Sequence, residues 1–408
     1  MAMSAGWWLR QARALADPAG PVAGRIMFER EAEQRVRRLR TAFADATRER
    51  VRPSRPRMRA LTLMPGGRLR WRSVPAPPPP GPLGAVVRPL AVATCDLDRP
   101  MGLGATPFLT PLHFGHECVA EVLTVGSEVT ASRPGQRVVV PFQISCGACA
   151  ACRAGRTGNC ETVPPIAMYG FGVSGGHWGG AVADELAVPY ADGMLVPLPQ
   201  GIEPAAAASV ADNVSDGYRH VAPHLPGLLA AGHPPRMTVV GAQSKRHLFT
   251  ASVGLYAGLV ARALGAGEVT VIDARTDVRA QARGLGLAAL TPKQARGLAP
   301  APLVADISAT PAGLRRALEL TAPDGICSSA GSLHARSRIP TASMFGRNAT
   351  LIVARSHARA LIPGVLTLIA DGALAPERVT TVLAPMDHAA AALNDHIRGG
   401  STKTVVAV

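Results

Sequence analysis

The chain has 408 residues, of which 47% are hydrophobic, 4% aromatic and 17% charged. That length exceeds the roughly 250 residues at which single cores stop growing, so two domains are expected, and the apolar content excludes a disordered or fibrous protein. The formal net charge of +15 would favour polyanions, but thirteen Arg against six acids lie within Met1–Arg57, leaving the rest only moderately basic.

That leading segment carries a charge-rich, helix-compatible stretch over Phe28–Arg50, breakers at Pro53 and Pro56, and no recognisable chemistry. It reads as an appended arm, residues 1–57; nucleic-acid binding is the competing reading, disfavoured because aromatics do not interleave its arginines. From Met58 short apolar runs between turns predict strands at Ala60–Met64, Ala85–Val92, Val119–Val125, Gln136–Val140 and Leu186–Val188. They compose a β-rich domain over residues 58–200. After Gly201 strands alternate with helices: Met237–Val240, Ala251–Leu264, Val269–Ile272, Asp277–Leu285, Leu303–Ile307, Ala312–Leu320 and Gly325–Ser328. That alternation predicts an α/β, doubly wound parallel sheet over residues 201–345. A last segment, 346–408, with a helix at Pro363–Asp371 and a strand at Thr404–Val408, is expected to complete the sheet and return to the first domain.

No apolar run reaches the ~18 residues of a membrane span, and the N-terminus lacks a basic-then-apolar signal pattern. A cytoplasmic protein without membrane partners is therefore expected. Seven cysteines occur, and Cys146, Cys149, Cys152 and Cys160 crowd into C-x2-C-x2-C-x7-C within SCGACAACRAGRTGNC. Four thiolates in a turn-rich lobe suit a closed, structural Zn2+ site in a reducing compartment; an iron–sulfur cluster is the competitor.

Cys95 in VATCDLD and His116–Glu117 in FGHECVAEV each border a predicted strand. C-x-x-D at Cys95–Asp98, GHE at Gly115–Glu117 and the four-cysteine lobe follow in the order and approximate spacing of the zinc-dependent medium-chain alcohol dehydrogenases, which Met58–Val408 resembles. The GG-x-x-GG-A run at Gly175–Ala181, the stretch Asp212–Tyr218 and the TKTVV ending support the likeness.

The resemblance implies a GroES-like catalytic domain joined to a Rossmann domain, and a second, catalytic Zn2+ held by Cys95, His116 and Asp212. Asp216, one helical turn on, is an alternative third ligand. Glu117 is implied just behind the metal, Asp98 orients the site, and Cys118 reads as a core thiol. Two residues after the Cys ligand the family usually carries Ser or Thr, which starts a proton relay; Leu97 stands there. Water, Thr94 or a residue from elsewhere must then take the proton.

In MTVVGAQSKRHLFTASVGLYAGLVARALGA the strand and helix of a dinucleotide unit are present, but about eight extra residues separate Gly241 from Gly254 and break the G-x-G-x-x-G pattern. Asp273, ending the next predicted strand, is placed to bind a ribose 2′-hydroxyl and favour NAD; Arg275, Lys245 and Arg246 leave NADP open. The sequence thus implies an alcohol–carbonyl oxidoreductase with a small-molecule substrate, two Zn2+ and NAD, assembled as a homodimer or homotetramer. The alternative is a zinc-stabilised, weakly active or non-catalytic relative with an impaired cofactor loop.

Overall fold

A computed structural model describes residues 55–106, 108–176, 178–230, 235–330 and 337–408. The helical stretch expected over Phe28–Arg50 lies outside them. In the β-rich half the strands are β1 (Arg57–Met64), β2 (Arg68–Pro75), β3 (Ala85–Ala93), β4 (Leu112–His113), β5 (Glu117–Val125), β6 (Arg137–Val140), β7 (Leu186–Val188) and β8 (Val196–Pro197). β2 had no apolar run to announce it: its sequence RLRWRSVP buries Leu69 and turns its arginines outward, and full antiparallel pairing with β1 holds it.

The second half contributes β9 (Met237–Val240), β10 (Val269–Ile272), β11 (Ala288–Leu290), β12 (Ala301–Asp306), β13 (Thr321–Ser329) and β14 (Thr350–Val353). Its sheet runs β11-β10-β9-β12-β13-β14, all parallel. That is the doubly wound order, with the chain reversing direction beside β9. The helices that matter for the site are α1 (Asn213–Arg219), α2 (Ser252–Ala263), α3 (Thr276–Gly284), α4 (Pro311–Glu319), α5 (Ala358–Ala370) and α6 (Ala389–Arg398). α2 is buried along almost its whole length, and Gly254 lets it press on β9, where a Cβ would stand 3.2 Å from Val239.

The chain ends in β15 (Val382–Pro385) and β16 (Thr404–Ala407). β16 lies between β15 and β3, pairing Val405 with Ala93 and Val406 with Val92. It thereby joins the sheet β15-β16-β3-β5-β6-β8. One apolar cluster contains Val119 and Val139 of the antiparallel sheet together with Val214, Met237 and Tyr256 of the parallel half. This shared core fixes the cleft between the two halves.

Candidate active site and metal centres

β3 and β5 are antiparallel neighbours, and Ala93 opposite Glu117 is the last pair of their register. The loops leaving those ends therefore meet, and they carry Cys95 and His116. Gly115 makes the approach possible: its φ is +91°, and a Cβ there would lie 2.8 Å from the Val182 side chain. Asp212 arrives from the other half, as the residue preceding α1. Ligand atoms of Cys95, His116, Glu117 and Asp212 all lie within 4.8 Å of one another, and all four residues are buried.

His116 Nε2 stands 3.4 Å from Asp212 Oδ2. Tetrahedral zinc with bonds of about 2.0–2.3 Å needs ligand atoms about 3.3–3.8 Å apart. Neither His116 nitrogen nor Glu117 Oε1 has a hydrogen-bond partner, although each is buried. Burial, then the charges of Asp212 and Glu117, push the Cys95 thiol far above its ordinary range. Orphaned buried donors and a thiol surrounded by carboxylates are what a divalent cation relieves. Among these residues Zn2+ fits. Asp216, the alternative third ligand, is instead bonded to Arg219 through Nε.

Sequence reasoning passed over three residues that support this set. The Asn213 amide donates to Cys95 Sγ at 3.3 Å and to Asp212 Oδ2 at 3.2 Å. Lys403 is buried and donates to Glu117 Oε2 at 2.7 Å, to Asn213 Oδ1 at 3.0 Å and to the Thr94 carbonyl. Its sequence signal was the TKTVV ending, where a cation seated among β-formers invites a buried partner. The third, Asp96, had no signal beyond its place next to Cys95. Asp98 accepts the Cys95 N–H at 2.8 Å through Oδ2, while its Oδ1 lies 4.0 Å from His116 Nδ1, beyond hydrogen bonding. Cys118 packs in the antiparallel core, where burial drives its thiol upward.

The four-cysteine lobe also closes on itself. The sulfurs of Cys146, Cys149, Cys152 and Cys160 lie within 4.8 Å of one another. Against the upward push of burial, hydrogen bonds from Thr162 Oγ1 and the Ala148 and Cys149 amides lower the Cys146 thiol to about 6. Gly147, at φ +75°, lets the chain pass Gly193, whose Cα would be 2.6 Å from a Cβ. A four-thiolate donor set with amide hydrogen bonds to sulfur fits Zn2+ and leaves no open position. The lobe grips the opposite rim: Arg355 donates to Gly158 O at 2.9 Å, and Gly158 N to His357 Nδ1 at 3.1 Å.

Between the halves opens a cleft that reaches Cys95 and Asp212. Leu97, Phe108, Phe142, Met168 and Phe171 form its apolar walls. Ile307, Ala309, Ala330 and Ala354 bring in the residues just beyond the carboxyl ends of β12, β13 and β14, the edge where open α/β sheets take their ligands. The Thr94 hydroxyl does not line this cleft; it accepts the Thr404 N–H at 2.9 Å. Thr94, one of the acceptors considered for the alcohol proton, thus lies buried in the β3–β16 seam and away from the cleft wall.

At the dinucleotide side, a Cβ on Gly241 would lie 2.6 Å from Asp273 Oδ2. Asp273 is buried and fully occupied: Arg275 donates to its Oδ1 at 2.9 Å and its Oδ2 at 2.8 Å, and the Ala242 N–H adds a third bond at 3.0 Å. Gly254 lies inside α2, where it serves helix–strand contact. The extra residues form an irregular loop, 241–251, held by Arg275 Nη1 to Phe249 O at 2.7 Å and by Arg99 Nη1 to His247 O at 3.0 Å. The first amides of α2 are already bonded to the Asp96 carboxylate, so a diphosphate does not fit beside them in this conformation.

A family profile for the alcohol dehydrogenase GroES-like domain matches residues 81–200. A probable zinc-binding alcohol dehydrogenase of Mycobacterium tuberculosis is 30% identical over 82% of this chain and 84% of its own length. A glutathione-independent formaldehyde dehydrogenase of Pseudomonas aeruginosa is 32% identical, over 56% of this chain and 57% of that protein. Among solved structures, the alcohol dehydrogenase TADH from Thermus sp. ATN1 superposes with a TM-score of 0.77 at 29% identity, covering 86% of this chain and all of that one.

Proposed function

The chain belongs to the zinc-dependent medium-chain alcohol dehydrogenases and is an oxidoreductase acting on alcohols, and from that premise we propose that it interconverts an apolar, preferably aromatic, alcohol and its carbonyl product. The observation that carries this reading is the buried Cys95–His116–Asp212 set at the floor of an aromatic-walled cleft beside the carboxyl ends of a parallel sheet. We assign Cys95, His116 and Asp212 as ligands of a catalytic Zn2+, and Cys146, Cys149, Cys152 and Cys160 as ligands of a structural one. When bound at the first site, zinc supplies Lewis acidity that favours the alkoxide form of a bound alcohol near neutral pH.

The chain's own groups do the rest. Asn213 holds the Cys95 sulfur and the Asp212 oxygen in one frame, and the Lys403–Glu117 pair places a balanced charge behind them. His116 is wedged between rings, its centroid 4.9 Å from that of Phe171 and 5.9 Å from that of Phe142. These rings fix the imidazole and keep bulk water off the floor, while an aryl or alkyl group finds apolar contact. Leu97 offers no proton acceptor, so a single water hydrogen-bonded to the alcohol oxygen in the cleft is the proposed first acceptor of the alcohol proton.

A nicotinamide dinucleotide is the proposed hydride partner; the Asp273 carboxylate expected to select NAD is instead paired with Arg275, so the choice between NAD and NADP does not rest on it. The filled diphosphate position favours the second reading, a weakly active relative, for the conformation described. A homodimer or homotetramer is proposed because, among the described residues, β14 pairs only with β13 and leaves Val353 59% exposed, while Phe345 is 87% exposed. Cytoplasmic location is proposed from the unpaired cysteines; no described helix is long and apolar enough to cross a membrane.

The deciding experiment combines zinc analysis with NADH detection on benzylic, long-chain and short-chain alcohols. Two zinc ions per chain and fastest turnover of benzylic alcohols support the reading. One zinc ion, or turnover confined to small polar alcohols, defeats it.

A further inference from the structure

In a Rossmann unit the cofactor diphosphate rests on the N-terminus of the helix that follows the first strand, where free amides and the helix dipole meet it. Here that helix is α2, and its first two amides are taken. Ser252 N donates to Asp96 Oδ1 at 2.9 Å, and Val253 N donates to Asp96 Oδ2 at 3.2 Å. The Thr250 hydroxyl adds a bond of 2.6 Å to Oδ1, and the Ser252 hydroxyl also reaches that oxygen. Asp96 comes from the other half of the molecule and is 8% exposed.

The neighbouring loop is pinned from both sides, by Arg99 of the antiparallel half at His247 O and by Arg275 of the parallel half at Phe249 O. Phe249 itself lines the cleft. A carboxylate thus already satisfies donors that a diphosphate would need, and the two anions cannot share them.

We propose that Asp96 is the residue that sets dinucleotide affinity in this protein: its carboxylate is an internal occupant of the diphosphate position, and a dinucleotide binds only by displacing it from Ser252 and Val253. The proposal rests on the reading that a dinucleotide is the hydride partner. It predicts weak binding by the native chain, and an effect of Asp96 confined to ligands that carry a diphosphate.

The test is calorimetric titration of the full, zinc-loaded chain with ADP-ribose and with adenosine, for the native protein, Asp96→Asn and Thr250→Val. Asparagine keeps a neutral acceptor for the helix cap, so thermal unfolding should show a folded variant. Expected is an ADP-ribose affinity at least tenfold higher for Asp96→Asn and about threefold higher for Thr250→Val, with adenosine unchanged. Equal ADP-ribose affinity in native and variant proteins overturns the proposal and leaves the dinucleotide reading standing. An equal gain for adenosine overturns it too, because the loop would merely have loosened. If no form binds either ligand, the dinucleotide reading and the proposal fall together. Should Asp96→Asn not fold, Thr250→Val decides the matter alone, since it removes one donor to Asp96 Oδ1 and leaves the carboxylate and the α2 amides in place.

Discussion

Replacing Lys403 with Met keeps all but the terminal atom's length of the side chain and removes a charge that three partners use. Its Nζ is buried against Glu117 Oε2 at 2.7 Å, Asn213 Oδ1 at 3.0 Å and the Thr94 carbonyl, 5.7 Å from the Tyr256 ring centroid. Burial already pushes the Glu117 carboxyl well above its usual range, and Lys403 is what opposes that push. Removing one member of a buried pair strands the other, at a cost of about 3–5 kcal/mol. With an unfolding entropy of about 2.1 cal/mol/K per residue over 408 residues, the melting midpoint should fall by about 4–6 °C. Calorimetry on zinc-loaded protein measures it, with metal content checked for each variant. Lys403→Met combined with Glu117→Gln removes both charges and should recover all but ~1 kcal/mol. A midpoint within a degree of native for the single variant, or a double variant that adds the two losses, refutes the pairing argument.

Leu97→Thr places a hydroxyl on the cleft wall where a proton acceptor is missing, so kcat should rise by roughly tenfold or more; an unchanged solvent isotope effect would show that proton transfer does not limit turnover. Burial lowers the His396 pKa to about 3, so its contribution to stability is fully present above about pH 6.5 and is lost as pH falls from there to about 3. At pH 5 the loss is about 2 kcal/mol, and His396→Gln should flatten the acid side of the melting-temperature profile by about one proton. Cys160→Ser should remove the lobe's metal alone, leaving one of the two candidate zinc sites filled. KM for the alcohol should then rise, because Arg355 and His357 lose their anchor at Gly158; loss of both metals would contradict separate sites.

The local chemistry was legible where it is encoded by contiguous residues. The lobe needed only its spacing, and β7, β9 and β10 have the bounds their apolar runs suggested. β2 and β14 were not legible because pairing, and not hydrophobic period, stabilises them: β2 exposes three arginines, and β14 is a four-residue edge strand. α5 begins at Ala358, five residues before the expected start at Pro363, and carries that proline inside it. The proline suggested a beginning because an N-terminal position is where the residue usually costs least.

Long-range partners are a different kind of information. The C-x-x-D pattern singles out Asp98, which turns back to the Cys95 amide, but nothing in VATCDLD marks Asp96 as the residue that crosses to α2 about 156 residues later. Yet the crossing residue joins a continuous polar path. Asp96 accepts from Ser252, the Ser252 hydroxyl also approaches Asn213 Oδ1, and Asn213 touches Cys95, Asp212 and Lys403. Every group on that path is buried, so the interactions are little screened by solvent. A negative charge that replaces Asp96 at the head of α2 therefore acts on the same asparagine that frames the candidate metal ligands. Cofactor affinity and the electrostatics of the metal floor are then properties of one network, and the loop between Gly241 and Gly254 bears on both because it holds Thr250 against the carboxylate at its centre.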